Sequence, residues 1–320
     1  MLIVKRLNKF GVAHPGSVAT LGVFDGIHLG HRAILDRLVR LARRRRHDSV
    51  VITFDPPPQA VLGPRGQARF LTSLQEKEAI FEKAGIDVLA VIKFSRAVAA
   101  MAAGDFVRRI LVGQLRASHI ICGSDCGFGR GRSGSLALLR EMGRGCGFGV
   151  TEVRPLRLAG ATISSTAIKL LISRGEVELA GRMLGRPYRI EGTVAKGQGI
   201  GRAIGYPTLN VRPGYRPKLL PRNGSYAAEA RIGRRTHRGL LYVGTRPTVG
   251  RGLGPRVEFH ALEGRPDPDA KNIVLQLYKY IRPEWRFSGL DQLRRAIGSD
   301  ARAAARILKL PAKRLNPATI

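Results

Sequence analysis

Apolar positions change rhythm once along the chain. Through Met183, short apolar runs alternate with helical patterns. The runs "SVATLGVF" (17–24), "SVVITF" (49–54), "DVLAVIKF" (87–94) and "SHIICG" (118–123) are rich in β-branched residues and show little in–out alternation. Strands covered on both faces read this way. "FGVTEV" (148–153) is a fifth candidate. Between the runs, "HRAILDRLVRLARRRR" sets Ile34, Leu35, Leu38, Leu41 and Ala42 on one helical face and Arg37, Arg40 and Arg44 on the other. "SLQEKEAIFEKAG" opens on a capping box, Ser73 with Glu76, and ends at Gly85. This alternation predicts an α/β domain, a parallel sheet with helices on both faces.

From Tyr188 the pattern shifts toward period two. "YRIEGTVAKG", "SYAAEARIG", "THRGLLYVG", "RVEFHAL" and "NIVLQLYKYI" are strand-like and broken by Gly, Pro and Arg. Helical patterns return only in "SGLDQLRRAI" and "SDARAAARILKL". An antiparallel β-barrel closed by a C-terminal helix is the expectation. The break at "MLGRPY" divides the chain into domains 1–183 and 184–320.

Charge narrows the partners. Lys and Arg number 55 against 23 Asp and Glu, a net +32. Anionic partners follow: nucleotides, nucleic acid or an acidic surface. The densest block, Arg43 to Arg46, reads first as the solvated end of a helix, where cations suit the dipole. The 3 cysteines point to reduced thiols and a cytoplasmic setting rather than a disulfide framework. "CGSDC" lacks the ligand spacing of a zinc site. No run approaches the roughly 18 apolar residues a membrane span needs, and the N-terminus lacks the order of a signal peptide.

Candidate chemistry begins at "GVFDGIHLGH" (22–31), placed between a strand and a helix. That is where an α/β sheet receives anions, because the helix aims free N–H groups at the turn. Gly22, Gly26 and Gly30 permit close backbone approach. His28 and His31 share one face of the helix start and can bond phosphate oxygens. A plain capped helix with two incidental histidines is the competing reading. "GSDCGFGRGRSG" (123–134) reads as a flexible basic loop at the carboxyl edge of the sheet. "ISSTAIKLL" (163–171) presents Ser164, Ser165 and Thr166 at a helix start with Lys169 one turn on, a second anion cradle or simply an N-cap. In the second domain, "KGQGIGRAIGYPTLNV" (196–211) is a Gly-rich flap followed by Thr208 and Asn210, two apart and so on one side of a strand. One hydroxyl and one amide oxygen can ligate Mg²⁺.

Together these stretches resemble the bacterial bifunctional riboflavin kinase/FAD synthetase family across nearly the whole chain. The family's Gly-x-Phe-Asp-Gly-x-His-x-Gly-His turn is matched at 22–31, its Ile-Ser-Ser-Thr stretch at 163–169, and its Gly-x-Gly-Arg-x-x-Gly-(Phe/Tyr)-Pro-Thr-x-Asn motif at 199–210. The resemblance implies an FMN adenylyltransferase domain followed by a riboflavin kinase domain. His28 and His31 would stabilise adenylyl transfer. Phe24, Asp25 and the glycines of that turn would line the ATP phosphates, with Ser164, Ser165, Thr166 and Lys169 at the other end of the nucleotide. In the kinase, Gly199, Gly201, Arg202, Gly205 and Thr208 would cradle ATP. Thr208 and Asn210 would hold Mg²⁺ or another divalent cation, and Glu258 of Val-Glu-x-His would be the general base. Asp125, Arg246 and Phe287 would face the flavin, while Trp285 packs on the barrel. Riboflavin, ATP and FMN are then the implied substrates, and FMN and FAD the products.

The chain leaves the family pattern at four places. Pro57 stands where the family has His, Cys126 where an aromatic follows Asp125, Lys169 where Arg is usual, and Tyr242 where Asn is common. Two rival readings stay open at this point. One is a riboflavin kinase with a decayed first domain. The other is a basic nucleic-acid-binding or regulatory protein on the same scaffold.

Overall fold

A computed structural model describes residues 1–5, 15–195, 201, 204–244, 256–311 and 315. The chain divides into two units, Met1–Ser165 and Thr166–Ile320. Helices Ser165–Arg174 and Val177–Leu184 lie between that division and the first barrel strand at Tyr188. The second of them buries Val177, Ala180, Met183 and Leu184 and packs on two strands of the barrel.

The first unit is a parallel sheet of six strands: β1 (Leu2–Val4), β2 (Ser17–Leu21), β3 (Asp48–Phe54), β4 (Val88–Ile92), β5 (Ala117–Gly123) and β6 (Gly149–Val153). The five apolar runs all form strands; β1 is an addition, an edge strand paired parallel to β4. The spatial order is β1-β4-β3-β2-β5-β6. Two apolar clusters cover the sheet. One contains Leu35, Leu38, Val39 and Ala42 of helix Leu29–Arg45. The other contains Phe106, Val107, Ile110 and Leu111 of the wide helix Phe106–Gln114. The arginines at the end of the first helix occupy its last turn and are solvent-exposed, as the dipole reading expects. The capping box forms as predicted: the Ser73 N–H donates to Glu76 at 2.6 Å and the Glu76 N–H to Ser73 Oγ at 3.1 Å. A small hairpin, β7 (Arg157–Leu158) with β8 (Ala161–Thr162), precedes the helix at Ser165.

The second unit is a closed antiparallel barrel: β9 (Tyr188–Ala195), β10 (Leu209–Pro213), β11 (Gly224–Ile232), β12 (Arg235–Gly244), β13 (Arg256–Ala261) and β14 (Ile273–Pro283). Alternation places Leu209, Val211, Leu241, Val243, Val257 and Phe259 inside, all buried. The two C-terminal helical stretches join into one helix, Leu290–Ile307. Gly298 does not break it: the Tyr206 hydroxyl packs where a Cβ would stand, 2.8 Å away, so a close packing contact explains the glycine. Ala301, Ala304 and Ala305 of that helix pack on Ala227, Leu240 and Leu262.

One correction concerns a loop. The segment 123–134 is pinned rather than free: Phe128 is buried at 5% exposure and exchanges backbone hydrogen bonds with Gly134. Trp285 lies against the end of barrel strand β14, its ring 4.2 Å from the Arg282 guanidinium, with 52% of its surface exposed.

Candidate active sites

In the first unit, β3 lies on one side of β2 and β5 on the other. The chain builds outward through β3 and β4, then crosses back to β5. The carboxyl end of β2 is therefore a topological switch point, where open α/β sheets bind ligands. The turn at 22–30 occupies that position.

The turn is built from inside. Phe24 and Ile27 hold positive φ, 50° and 40°, as does Gly26 at 86°. Phe24 is buried edge-on against His31 and Phe81. Asp25 is 4% exposed, and its Oδ1 accepts the N–H groups of Leu71, at 2.7 Å, and Thr72, at 3.2 Å. The Gly26 N–H donates to Thr72 Oγ1 at 2.9 Å, and Lys77 Nζ to the Val23 carbonyl at 2.7 Å. Phe24 and Asp25 thus hold the turn in shape. Thr72 and Lys77 are supports that the sequence reading missed. The only hint was the capping box next to them.

His28 is the N-cap of helix Leu29–Arg45; its Nδ1 accepts the His31 N–H at 3.3 Å. In the neutral ring its proton therefore sits on Nε2. The two imidazoles stack with centroids 3.7 Å apart and planes 18° from parallel. A Cβ on Gly30 would meet His28 Cε1 and Nδ1 at 3.2 Å, so the glycine leaves room for the stack. Burial, followed by the charges of His28 and Lys77, holds His31 well below the ordinary imidazole range. His31 is therefore a neutral imidazole at pH 7. Ser165 Oγ donates to the Asp25 carbonyl at 2.8 Å, joining "ISST" to the turn. Thr166 and Lys169 follow within the first turns of the same helix. Asp125 lies just beyond β5, the neighbour of β2. Its backbone carbonyl accepts from Arg132 at 3.2 Å.

In the barrel, register builds the second site. Asn210 on β10 stands opposite Glu258 on β13, and Glu258 stands opposite Tyr242 on β12. Opposed residues have Cβ atoms about 5 Å apart, so the three side chains form one row on the outer wall. Glu258 is engaged in a two-pronged pair with Arg256: Nε to Oε1 at 2.7 Å and the second guanidinium nitrogen to Oε2 at 2.9 Å. The Tyr242 hydroxyl donates to Glu284, whose other oxygen accepts from Asn223 at 2.9 Å. Burial and the hydrogen-bonded Glu284 push the Tyr242 hydroxyl upward, so it stays protonated. A Cβ on Gly244 would collide with both Tyr242 and Glu284. Arg256 also lies over the Tyr242 ring, 5.6 Å from its centroid. The arrangement is a polar row in which Arg256 holds the one carboxylate, Glu258, and Glu284 holds the Tyr242 hydroxyl; sequence reasoning found Glu258 but not Glu284.

Thr208 lies one residue before β10, on the same side as Asn210. His260 Nδ1 is 2.8 Å from the Pro207 carbonyl, fixing the approach to Thr208. A Cβ on Gly201 would strike the Tyr206 carbonyl and lie 3.3 Å from Thr208 Oγ1. Gly205 adopts φ +85°, a turn conformation that favours glycine. Thr208 and Asn210 offer neutral oxygen donors, beside a glycine whose backbone leaves the hydroxyl uncovered. That set suits a hard divalent cation that takes its remaining ligands from phosphates and water. Among the described residues no cluster of three His, Cys, Asp or Glu exists to hold a metal by itself. Gly199, Arg202 and Arg246 lie outside the described residues. Phe287 is half-buried, its ring 5.6 Å from the Arg282 guanidinium.

An imidazole pair at the switch point of a parallel sheet, followed by a barrel with a held carboxylate beside hard oxygen donors, defines a two-module transferase of phosphate chemistry. Comparison with known proteins gives the family. The FAD synthetase family model matches residues 12–167 and the riboflavin kinase family model residues 184–308. The bifunctional riboflavin kinase/FMN adenylyltransferase of Escherichia coli K12 is 36% identical over 302 residues, covering 94% of this chain and 96% of the relative. The Pseudomonas fluorescens enzyme of the same description is 35% identical over 312 residues, covering 97% and 99%. The chain belongs to the bifunctional riboflavin kinase/FMN adenylyltransferase family. A crystal structure described as a macrolide-efflux protein from Streptococcus pneumoniae shares the fold, with a TM-score of 0.84, 29% identity and coverage of 93% and 96%. In this chain, no helix among the described residues is long and apolar enough to cross a membrane.

Proposed function

We propose that the barrel phosphorylates riboflavin to FMN with ATP, and that the parallel-sheet unit joins AMP from ATP to FMN, releasing pyrophosphate and giving FAD. Two groupings among the described residues support the reading. The His28–His31 stack lies at the switch point, and Asn210, Glu258 and Tyr242 lie in one row of the barrel.

In the kinase, Glu258 accepts the proton of the riboflavin 5′-hydroxyl as its oxygen attacks the γ-phosphorus of ATP, and ADP leaves. Arg256 fixes the carboxylate by two hydrogen bonds. Thr208 and Asn210 would hold Mg²⁺, which would neutralise charge on the phosphates. In the adenylyltransferase, the FMN phosphate attacks the α-phosphorus of ATP. His28 and neutral His31 donate hydrogen bonds to the phosphates as charge moves toward the departing pyrophosphate. Ser164, Ser165, Thr166 and Lys169 hold the nucleotide, and Asp125, Arg246 and Phe287 face flavin. A cytoplasmic setting accords with the substrates.

Incubation with riboflavin, ATP and Mg²⁺, with products separated by chromatography over time, tests the reading. FMN should appear first and FAD after it. FMN alone would reduce the chain to a kinase, and neither product would refute the assignment. Chelation with EDTA should stop FMN formation, and added Mg²⁺ should restore it.

A further inference from the structure

Two of the chain's 3 cysteines meet at one end of the parallel sheet. Cys122 is the penultimate residue of β5 and is 1% exposed, within the apolar cluster on that face of the sheet. The chain then reverses. The Cys126 N–H donates to the Gly123 carbonyl at 3.2 Å, which brings Cys126 back against the same cluster. The Cys122 thiol donates a hydrogen bond to the Cys126 sulfur. Cys146 lies elsewhere. It ends the helix Leu136–Cys146, just before β6, whose first residue, Gly149, stands opposite His119 near the start of β5. That level is about 10 Å down the strand from Cys122.

The two thiols differ as an attacking and a resolving cysteine differ. The bond that Cys122 donates, together with its burial, pushes that thiol up, so it stays protonated. Cys126 is half-buried, so part of its surface meets solvent. The hydrogen bond it accepts outweighs burial and the charge of Asp125, and with the Arg132 charge holds its thiol below the ordinary range. Arg132 is fixed at this place. Its guanidinium donates to the Asp125 carbonyl at 3.2 Å and lies 2.7 Å from where a Cβ on Gly127 would stand. A partly exposed cysteine beside a cation carries the thiolate, the nucleophilic form. A second thiol in contact with it converts the first oxidation product into a disulfide. Among the described residues no third His, Cys, Asp or Glu joins the pair in a ligand set for a metal.

We propose that Cys126 and Cys122 form an oxidisable dithiol, a modification site whose reagent is hydrogen peroxide. The Cys126 thiolate attacks one peroxide oxygen. The O–O bond breaks, hydroxide leaves and takes up a proton, and Cys126 becomes a sulfenic acid. The Cys122 sulfur then attacks the Cys126 sulfur. The S–O bond breaks, and hydroxide leaves with the Cys122 proton as a second water. Two thiols lose two electrons and two protons, and one peroxide is reduced to two waters. Closure needs little chain movement, because the turn at Gly123 already holds the two sulfurs in hydrogen-bond contact. A small oxidant suits a half-buried sulfur better than a bulky disulfide, which must approach in line with the bond it breaks.

The test uses the full chain, reduced and freed of reductant. It is exposed to hydrogen peroxide, denatured, and its remaining thiols are capped with maleimide. The 3 caps of the reduced chain should fall to a single cap, at Cys146. The tryptic peptide 117–130, which contains both Cys122 and Cys126, should be lighter by the hydrogens lost on bridging. Dithiothreitol should restore every cap. Cys126 should be modified at least about tenfold faster than Cys146. In Cys122→Ser, dimedone should trap a sulfenic acid at Cys126; Cys122→Ala gives the same reading if serine unfolds the apolar site. In Cys126→Ser, Cys122 should stay reduced under the same exposure. The unaltered chain decides the proposal if a variant fails to fold. A bridge through Cys146, full capping after exposure, or a sulfenic acid first at Cys122 would overturn it. So would conversion of Cys126 to the sulfinic acid with no bridge formed.

Discussion

Glu258→Gln separates catalysis from folding. The change keeps size and one acceptor oxygen but removes the charge and the base. A positioned general base contributes about 10²- to 10⁴-fold, or roughly 3–5 kcal/mol of barrel-site catalysis. The structural cost is smaller. The Arg256–Glu258 side chains are 33% and 13% exposed, so water screens the pair. The amide still accepts one hydrogen bond, and losing the pair should cost about 1–2 kcal/mol. In a unit of this size that lowers the midpoint by roughly 2–8 °C. The assay is FMN formation from riboflavin at saturating ATP, beside FAD formation from supplied FMN and a thermal melt. FMN formation should fall at least about a hundredfold, and FAD formation should hold. Near-normal FMN formation in the folded variant would refute the role given to Glu258. Equal loss of both activities would refute separate sites.

Other outcomes follow from the first unit. His28→Ala with His31→Gln should remove FAD synthesis by about a hundredfold or more while FMN synthesis stays, read by chromatography of the two products. Asp25→Ala strands the N–H groups of Leu71 and Thr72 that it now accepts. Urea unfolding of the first unit should register a loss of about 2–5 kcal/mol. His31 is depressed in the folded protein and ordinary near 6.5 when unfolded. The unfolded chain therefore gains the proton first, and stability should decline as pH falls below 6.5. His31→Gln should flatten that part of the curve; an unchanged pH slope would contradict the buried neutral imidazole. FMN formation should also persist at salt concentrations that abolish Coulombic RNA binding.

Periodicity carried most of the fold because its physical cause is local. Runs such as "SVVITF" are apolar throughout, since a parallel strand is covered on both faces, and all five became strands. β1 escaped notice because three residues are too few to show a period, and its support comes from β4, far away in sequence. The histidine pair was legible from spacing, since residues three apart share a helix face. Its electrostatics were not. The neutral state of His31 arises from burial and from Lys77, which reaches the turn from another helix. Asp25 shows the same limit from the other side. The motif displays the carboxylate but not that its Oδ1 accepts backbone N–H groups 46 and 47 residues away. In the barrel, "RVEFHAL" displayed Glu258 and Arg256 but not the residues opposite Glu258 across the wall. Asn210, Glu258 and Tyr242 are brought into one row only by register. A shift of one residue in that register would turn Glu258 into the apolar interior, where Val257 and Phe259 now sit. Motif and register thus divide the work: the sequence supplies the chemical groups, and the apolar alternation of Leu209, Val211, Val257 and Phe259 decides that those groups meet.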